Sequence, residues 1–384
     1  MAASPGPAEA NGVRGMLGRL VPGAKRWVAS PALLRVAAVA GAILIPAATL
    51  LAAGDTLGYD FRAYYNAAAR VLSGAAVYDT SIAFAGPQGL FLYPPTFLPL
   101  ILPFALLGVS GATLVWTALL AGATVVAIAR MPVSAGTRWL VLLLAAQMWP
   151  AVYALKLGQV GSLLVLLFVE GWRAVAQSNG GRALGVTGAL GAAIKLQPGL
   201  VLLWALATRR WAAAAAGAAT LAVLALLATL IAGPAAWAGF ATVITRVTDA
   251  VGTPHNFTPG AVALGLGVTH DAAVWIQTGS MAAVLALAGW SALRLAAVPS
   301  YLVVVVATQL LSPVLWDHYA IVLLVPVAWL LDRGVRLALL IPLMTSIAVV
   351  GVMPPAVYPV VFALTLVLLV AEGRRQGAMP LGRY

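Results

Sequence analysis

Charge and thiols are what this chain has least of. It contains no cysteine, only 8% of its residues are charged, and just ten are Asp or Glu. Without cysteine there is no disulfide framework and no thiolate metal site. A soluble domain carries about 25% charged residues, so 8% in a chain that is 62% hydrophobic excludes an ordinary soluble enzyme. Also missing are a Walker A loop, a dinucleotide-binding glycine fingerprint and an H-E-x-x-H zinc pair, which removes the standard nucleotide and zinc chemistries. No A-x-A cleavage site follows the first apolar segment at signal-peptide spacing, so that segment reads as a membrane anchor.

What is present is a succession of apolar runs near twenty residues long, the length that spans a bilayer as a helix. The fold class expected is an all-α polytopic membrane protein. About twelve crossings can be traced, over residues 36–53, 110–129, 139–153, 160–172, 183–194, 199–207, 211–232, 272–293, 299–311, 320–331, 337–352 and 356–371. The apolar stretch at 94–107 is short and broken by Pro95, Pro99 and Pro103, so it reads as a juxtamembrane or re-entrant helix. Residues 183–194 and 199–207 are too short to cross as straight helices and pair as a hairpin around Lys195-Leu196-Gln197-Pro198. Residues 1–32 form a basic tail, 33–372 the membrane domain and 373–384 a second tail.

The net charge of +12 invites a nucleic-acid reading. The basic residues, however, sit in short loops beside apolar segments, which is the positive-inside pattern, and no nucleic-acid partner is expected. With both termini cytoplasmic, 17 of the 22 Lys and Arg fall inside, and only Arg62, Arg70, Lys156, Lys195 and Arg246 lie outside. No inverted repeat points to a transporter.

That orientation puts Asp55, Asp60, Asp79, Asp249, Asp271, Asp317 and all three histidines on the outer face. The first outer loop, 54–93, carries Gly58-Tyr59-Asp60-Phe61-Arg62-Ala63-Tyr64-Tyr65 and ends in Tyr93-Pro94-Pro95. Outside an inner membrane there is no nucleotide pool, so a transferase there needs a donor that arrives through the bilayer. A lipid-linked phosphosugar meets that need. Its anionic leaving group calls for cations, and Lys156, Lys195, His318 and Arg62 are candidates. The acceptor hydroxyl calls for a carboxylate base. Asp60 supports two readings: that base, or the N-cap of an amphipathic helix over 61–73 with Phe61, Tyr65, Ala68 and Leu72 as its apolar stripe. Lys156 and Lys195 each share a tight turn with a glutamine, Gln159 and Gln197, and a buried cation there wants an anion. The bland alternatives are snorkelling lysines and, for His318 between Trp316 and Tyr319, an interfacial aromatic belt.

The order Asp60-Phe61-x-x-Tyr64-Tyr65, Gly74, Tyr78 and Tyr93-Pro94-Pro95 resembles glycosyltransferase family 87. Gly158-Gln159-Val160-Gly161, Lys195-Leu196-Gln197-Pro198 and Ser312-Pro313-Val314-Leu315-Trp316-Asp317-His318 add to the resemblance. Tyr319 stands where many relatives have a second histidine, and His255-Asn256-Phe257-Thr258 matches the family's Asn-rich outer-loop motif only loosely. The resemblance implies a GT-C type bundle, a polyprenyl-phosphate sugar donor, inversion at the anomeric carbon and no required cofactor or metal. It implies Asp60 as catalytic base and donor phosphate on His318, Lys195 and Lys156, beside which Arg62 stays a candidate cation; substrate contacts are expected from Tyr64, Tyr65, Tyr93, Gln159, Gln197, Asn256, His255, Trp316 and Asp317. The function expected is transfer of a hexose, mannose first, to a lipid or glycan acceptor at the outer face of a bacterial inner membrane. The rival reading is a lipid or solute transporter with no covalent step.

Overall fold

The structure, a computed structural model, describes residues 30–79, 91–177, 181–245 and 250–378. Most of the expected tails, and Arg246 and Asp249, lie outside the described residues. Among the described residues the secondary structure is helical throughout, apart from one isolated bridge between Met148 and Ser346. In order come α1 (Pro31–Ala53), α2 (Tyr59–Leu72), α3 (Val109–Arg130), α4 (Ala135–Gln147), α5 (Trp149–Leu157) and α6 (Gly161–Ala176). Then follow α7 (Gly181–Ile194), α8 (Leu200–Ala207), α9 (Trp211–Ala232), α10 (Ala235–Thr245) and α11 (Pro259–Gly265). The chain ends with α12 (His270–Arg294), α13 (Ala297–Leu310), α14 (Leu324–Asp332) and α15 (Val357–Ala378).

Among the described residues, five helices are long and apolar enough to cross a membrane, and six if α5 and α6, bent by 120° at their junction, count as one broken span. Twelve crossings are not confirmed. The reasons are local. The run 139–153 breaks at Met148, where α4 ends and Pro150 opens α5. The run 337–352 is apolar but only Leu340–Met344 is α-helical, after which the chain turns and bridges to Met148. Hydropathy measures apolar length, and these segments have the length without an unbroken backbone ladder. Pro95–Leu106 is a string of short helical turns, in keeping with the prolines that forbid a continuous helix there.

The core sits around α13, whose residues from Pro299 to Gln309 are all buried, and around residues 318–330, also buried throughout. By contrast α1 and α9 leave large apolar side chains such as Leu51 and Leu230 exposed, as lipid-facing helices do. At one end, Arg130 on α3 pairs with Glu170 on α6, and Asp332 at the end of α14 accepts from Ser134 N at 2.9 Å and Thr137 Oγ1 at 2.8 Å at the start of α4. At the other end of α6 and α14 lie Gln159 and the Asp317–Leu323 turn of 3₁₀ helix, and there the polar residues gather.

Candidate active site

The short helix α2 fixes the site. Its apolar stripe is Phe61, Tyr64, Ala67 and Ala68 rather than the expected Phe61, Tyr65, Ala68 and Leu72; Leu72 is exposed. Phe61 is fully buried and stacks on Trp116 at 5.3 Å, with Phe104 edge-on at 5.9 Å. Burying a phenylalanine side chain stabilises by about 1.5–3 kcal/mol, and each such ring pair adds roughly 0.5–1.5 kcal/mol. The N-cap is Gly58, which makes no side-chain cap bond, so the N-cap reading of Asp60 is wrong. Asp60 stands one residue inside the helix.

Two glycines bring α2 to the bend between α5 and α6. Gly158 ends α5 in the left-handed conformation, φ 73°, with Gln159 N returning to Ala154 O at 2.8 Å, a Schellman-type closure. A Cβ on Gly158 would lie 2.7 Å from Phe61 Cβ, and one on Gly58, φ 70°, would lie 2.5 Å from Thr113 Cγ2. Gly58 N donates to Lys156 O at 2.8 Å, and Trp116 Nε1 donates to Gly158 O at 2.8 Å. This close approach sets Gln159 beside Asp60.

Gln159 Nε2 donates to Asp60 Oδ2 at 2.6 Å. Its Oε1 accepts from Tyr93 Oη at 3.0 Å and Tyr64 Oη at 3.2 Å, and the two hydroxyls lie 2.6 Å apart. Gln159 is buried, so the amide has one orientation that satisfies this network. Burial pushes the Asp60 carboxyl above its ordinary value, against the lowering effects of His318, the Gln159 hydrogen bond and Lys195. Asp317 behaves oppositely. Burial raises it, but the His318 ring at 3.6 Å, the Trp149 Nε1 donor at 2.8 Å and the His318 backbone N–H at 2.8 Å hold it below the ordinary carboxylate value.

These residues line a cavity of about 570 Å³. Of the residues singled out in the sequence, Asp60, Tyr64, Tyr93, Gln159, Lys195, Gln197, His255, Trp316, Asp317 and His318 line it together. His318 is 4% exposed, stacked on Trp316, and neither of its ring nitrogens has a hydrogen-bond partner among the described residues. Lys195 extends from the turn after α7, with its ammonium 3.8 Å from the centre of the Tyr319 ring. That turn is tied to the Tyr93-Pro94-Pro95 segment by Thr96 Oγ1, which donates to Ala193 O at 2.9 Å.

Four singled-out residues do not line the cavity. Arg62 donates to Asp55 O at 2.6 Å, Tyr65 to Leu107 O at 2.9 Å, and Lys156 leans over the Tyr153 ring at 5.6 Å. Asn256 is buried as a stitch: its Oδ1 accepts Thr258 N and Leu315 N, each at 3.0 Å, and its Nδ2 donates to Ala250 O at 2.6 Å. It thereby holds the His255 loop to the Ser312–Leu315 segment. The reading of the sequence missed Tyr59, Tyr153 and Tyr319 as walls of the cavity. Tyr319 had a signal, since it follows Asp317-His318 directly. Among the described residues, no three His, Asp or Glu side chains group closely enough to hold a metal ion.

A family model for glycosyltransferase family 87 matches residues 91–315, more than half of the chain. The chain belongs to glycosyltransferase family 87. The family implies transfer of a sugar from a donor to an acceptor by a protein whose helices are built for a membrane. Tyr93, Gln159, Lys195, Gln197 and His255 fall inside the matched stretch; Trp316, Asp317 and His318 follow directly after its end, and Asp60 lies well before its start. No curated protein and no solved structure matches the chain.

Proposed function

We propose that this family 87 protein is a GT-C type enzyme that moves a hexose, mannose first among the candidates, from a polyprenyl-phosphate sugar to a lipid or glycan acceptor at the outer face of a bacterial inner membrane. One observation carries the reading: a half-buried carboxylate, Asp60, held by Gln159 on the wall of a cavity that also presents Lys195 and His318. The combination suits a single displacement. Asp60 takes the acceptor hydroxyl proton, the acceptor oxygen bonds to the anomeric carbon on the face opposite the phosphate, and the bond from that carbon to the phosphate oxygen breaks. The configuration inverts. The polyprenyl phosphate leaves with the bonding electrons, its charge met by the Lys195 ammonium and the His318 ring.

Environment supports this division of labour. A general base works best when its pKa approaches the working pH, and burial moves Asp60 that way. His318 Nδ1 stands 3.6 Å from Asp317 Oδ1 and Nε2 has no hydrogen-bond partner among the described residues, so this buried ring is left with a donor position that a phosphate oxygen would complete. Leu92, Leu196 and Ile244 also line the cavity, and Leu196 is 53% exposed. They offer an apolar path for the prenyl chain. Lys156 and Arg62, which do not line the cavity, have no part in this scheme.

Membranes containing the protein, given a labelled synthetic polyprenyl-phosphate mannose, are expected to move label into lipid or glycan. If no polyprenyl-phosphate hexose donates to any membrane fraction while the purified protein is folded, the proposal fails.

A further inference from the structure

We infer that Tyr319 is a positioning residue that seats the Lys195 ammonium for a phosphate ligand through its aromatic face; this rests on the donor reading above. The Lys195 Nζ lies 3.8 Å from the centre of the Tyr319 ring and 5.6 Å from that of Tyr93. Tyr319 is 8% exposed and lies edge-on to both Trp316 at 5.8 Å and His318 at 5.0 Å, so the ring itself is fixed. Tyr93 is fixed independently, by the hydroxyl bond it donates to Gln159 at 3.0 Å. The ammonium thus bridges two walls of the cavity. One wall belongs to the Asp60 network and the other to the Asp317–Leu323 turn.

The chemistry of the seat matters. A lysine side chain has four rotatable bonds and loses much freedom when held in one place. A carboxylate could hold it, but would neutralise the ammonium and compete with an incoming phosphate. An aromatic face holds the cation through the ring quadrupole while leaving its charge and its N–H donors for a ligand. Tyr319 therefore gives the site a cation that is in position but not neutralised. The phenol oxygen plays no part in this, so Phe can replace Tyr319 and an aliphatic residue of similar bulk cannot.

The test is a double-mutant cycle read by binding, so that turnover is not needed. The Kd of the purified protein for a short-chain polyprenyl monophosphate is measured for wild type, Tyr319→Phe, Tyr319→Leu, Lys195→Ala and the Tyr319→Leu/Lys195→Ala pair. Tyr319→Phe is expected to bind within about twofold of wild type. Tyr319→Leu is expected to weaken binding roughly 3- to 30-fold, the range a partly desolvated ammonium–ring contact supports. In the Lys195→Ala background the Leu substitution is expected to cost nothing further, because the residue acts through the lysine. Wild-type binding of Tyr319→Leu, or losses that multiply in the double variant, would overturn the inference while leaving the donor reading intact. Failure of the wild type to bind the monophosphate would instead remove the donor reading, and the inference with it.

Discussion

Gln159 shows how much one amide can decide. It accepts two tyrosine hydroxyls on its oxygen, which leaves its NH₂ to face Asp60 and favours the ionised carboxylate. The activity of a carboxylate base is lost as pH falls through its pKa, so the raised pKa of Asp60 places the acid limb of the rate profile above the ordinary carboxylate range. Replacing Gln159 by Leu removes a charge-assisted hydrogen bond and moves that limb to still higher pH. At neutral pH kcat/KM is expected to fall roughly 10-fold or more. A pH–rate profile of Gln159→Leu with an unmoved acid limb would show that Gln159 does not act through Asp60. The same raised pKa makes ionised Asp60 a burden on the fold: the folded state prefers the protonated form, so stability is greatest below the unfolded pKa and is lost as pH rises through the folded one. Asp60→Asn is therefore expected to melt no lower than wild type at neutral pH.

At the scale of the elements, the site is made where helices stop. Asp60 opens α2, Gln159 follows α5, Lys195 follows α7, and Asp317 and His318 open the 3₁₀ turn before α14. This is why much of the site was legible in the sequence. Polar residues at the ends of apolar runs stand out, and Lys195, Gln159 and His318 were found that way. What the sequence did not show was phase. Lys156 and Lys195 occupy similar turns beside a glutamine, yet Lys156 contributes its carbonyl to Gly58 while its side chain lies over Tyr153. Asn256 looked like a substrate ligand and is spent on backbone groups of two loops. Tyr59 and Tyr153 were not singled out, because nothing local in a sequence reveals which way a helical ring faces. The α2–α5 contact gives its own test. Gly158→Ala adds a Cβ 2.7 Å from Phe61 Cβ on a backbone with φ 73°, whereas Gly74→Ala meets a similar φ, 72°, with nothing within 4 Å. Both pay the left-handed cost, about 1–2 kcal/mol, but only Gly158→Ala displaces α2. It alone is expected to lose transfer activity; equal loss in both variants would show that the close approach does not matter.

For the whole molecule, composition settled the class, the basic-residue pattern predicts an orientation still to be measured, and the twelve crossings traced in the sequence are not confirmed. Apolar runs such as 337–352 were counted as spans because hydropathy does not see a helix end at Met344. The absence of cysteine makes orientation easy to test. With a cysteine placed at His270, whose side chain is 49% exposed, intact cells are expected to take up a membrane-impermeant maleimide. With one placed at Arg333, just after α14, labelling is expected only once the cells are opened. The reverse pattern would invert the topology and move the Asp60 cavity to the cytoplasm. The central claim is that Asp60 is the base of a polyprenyl-phosphate-dependent transfer, and one paired measurement addresses it. Wild type and Asp60→Asn are given the same labelled polyprenyl-phosphate mannose, with donor binding measured alongside. The account predicts label in the acceptor with wild type, loss of transfer by at least 100-fold in Asp60→Asn, and donor binding retained in both. Turnover by Asp60→Asn near the wild-type rate would contradict it.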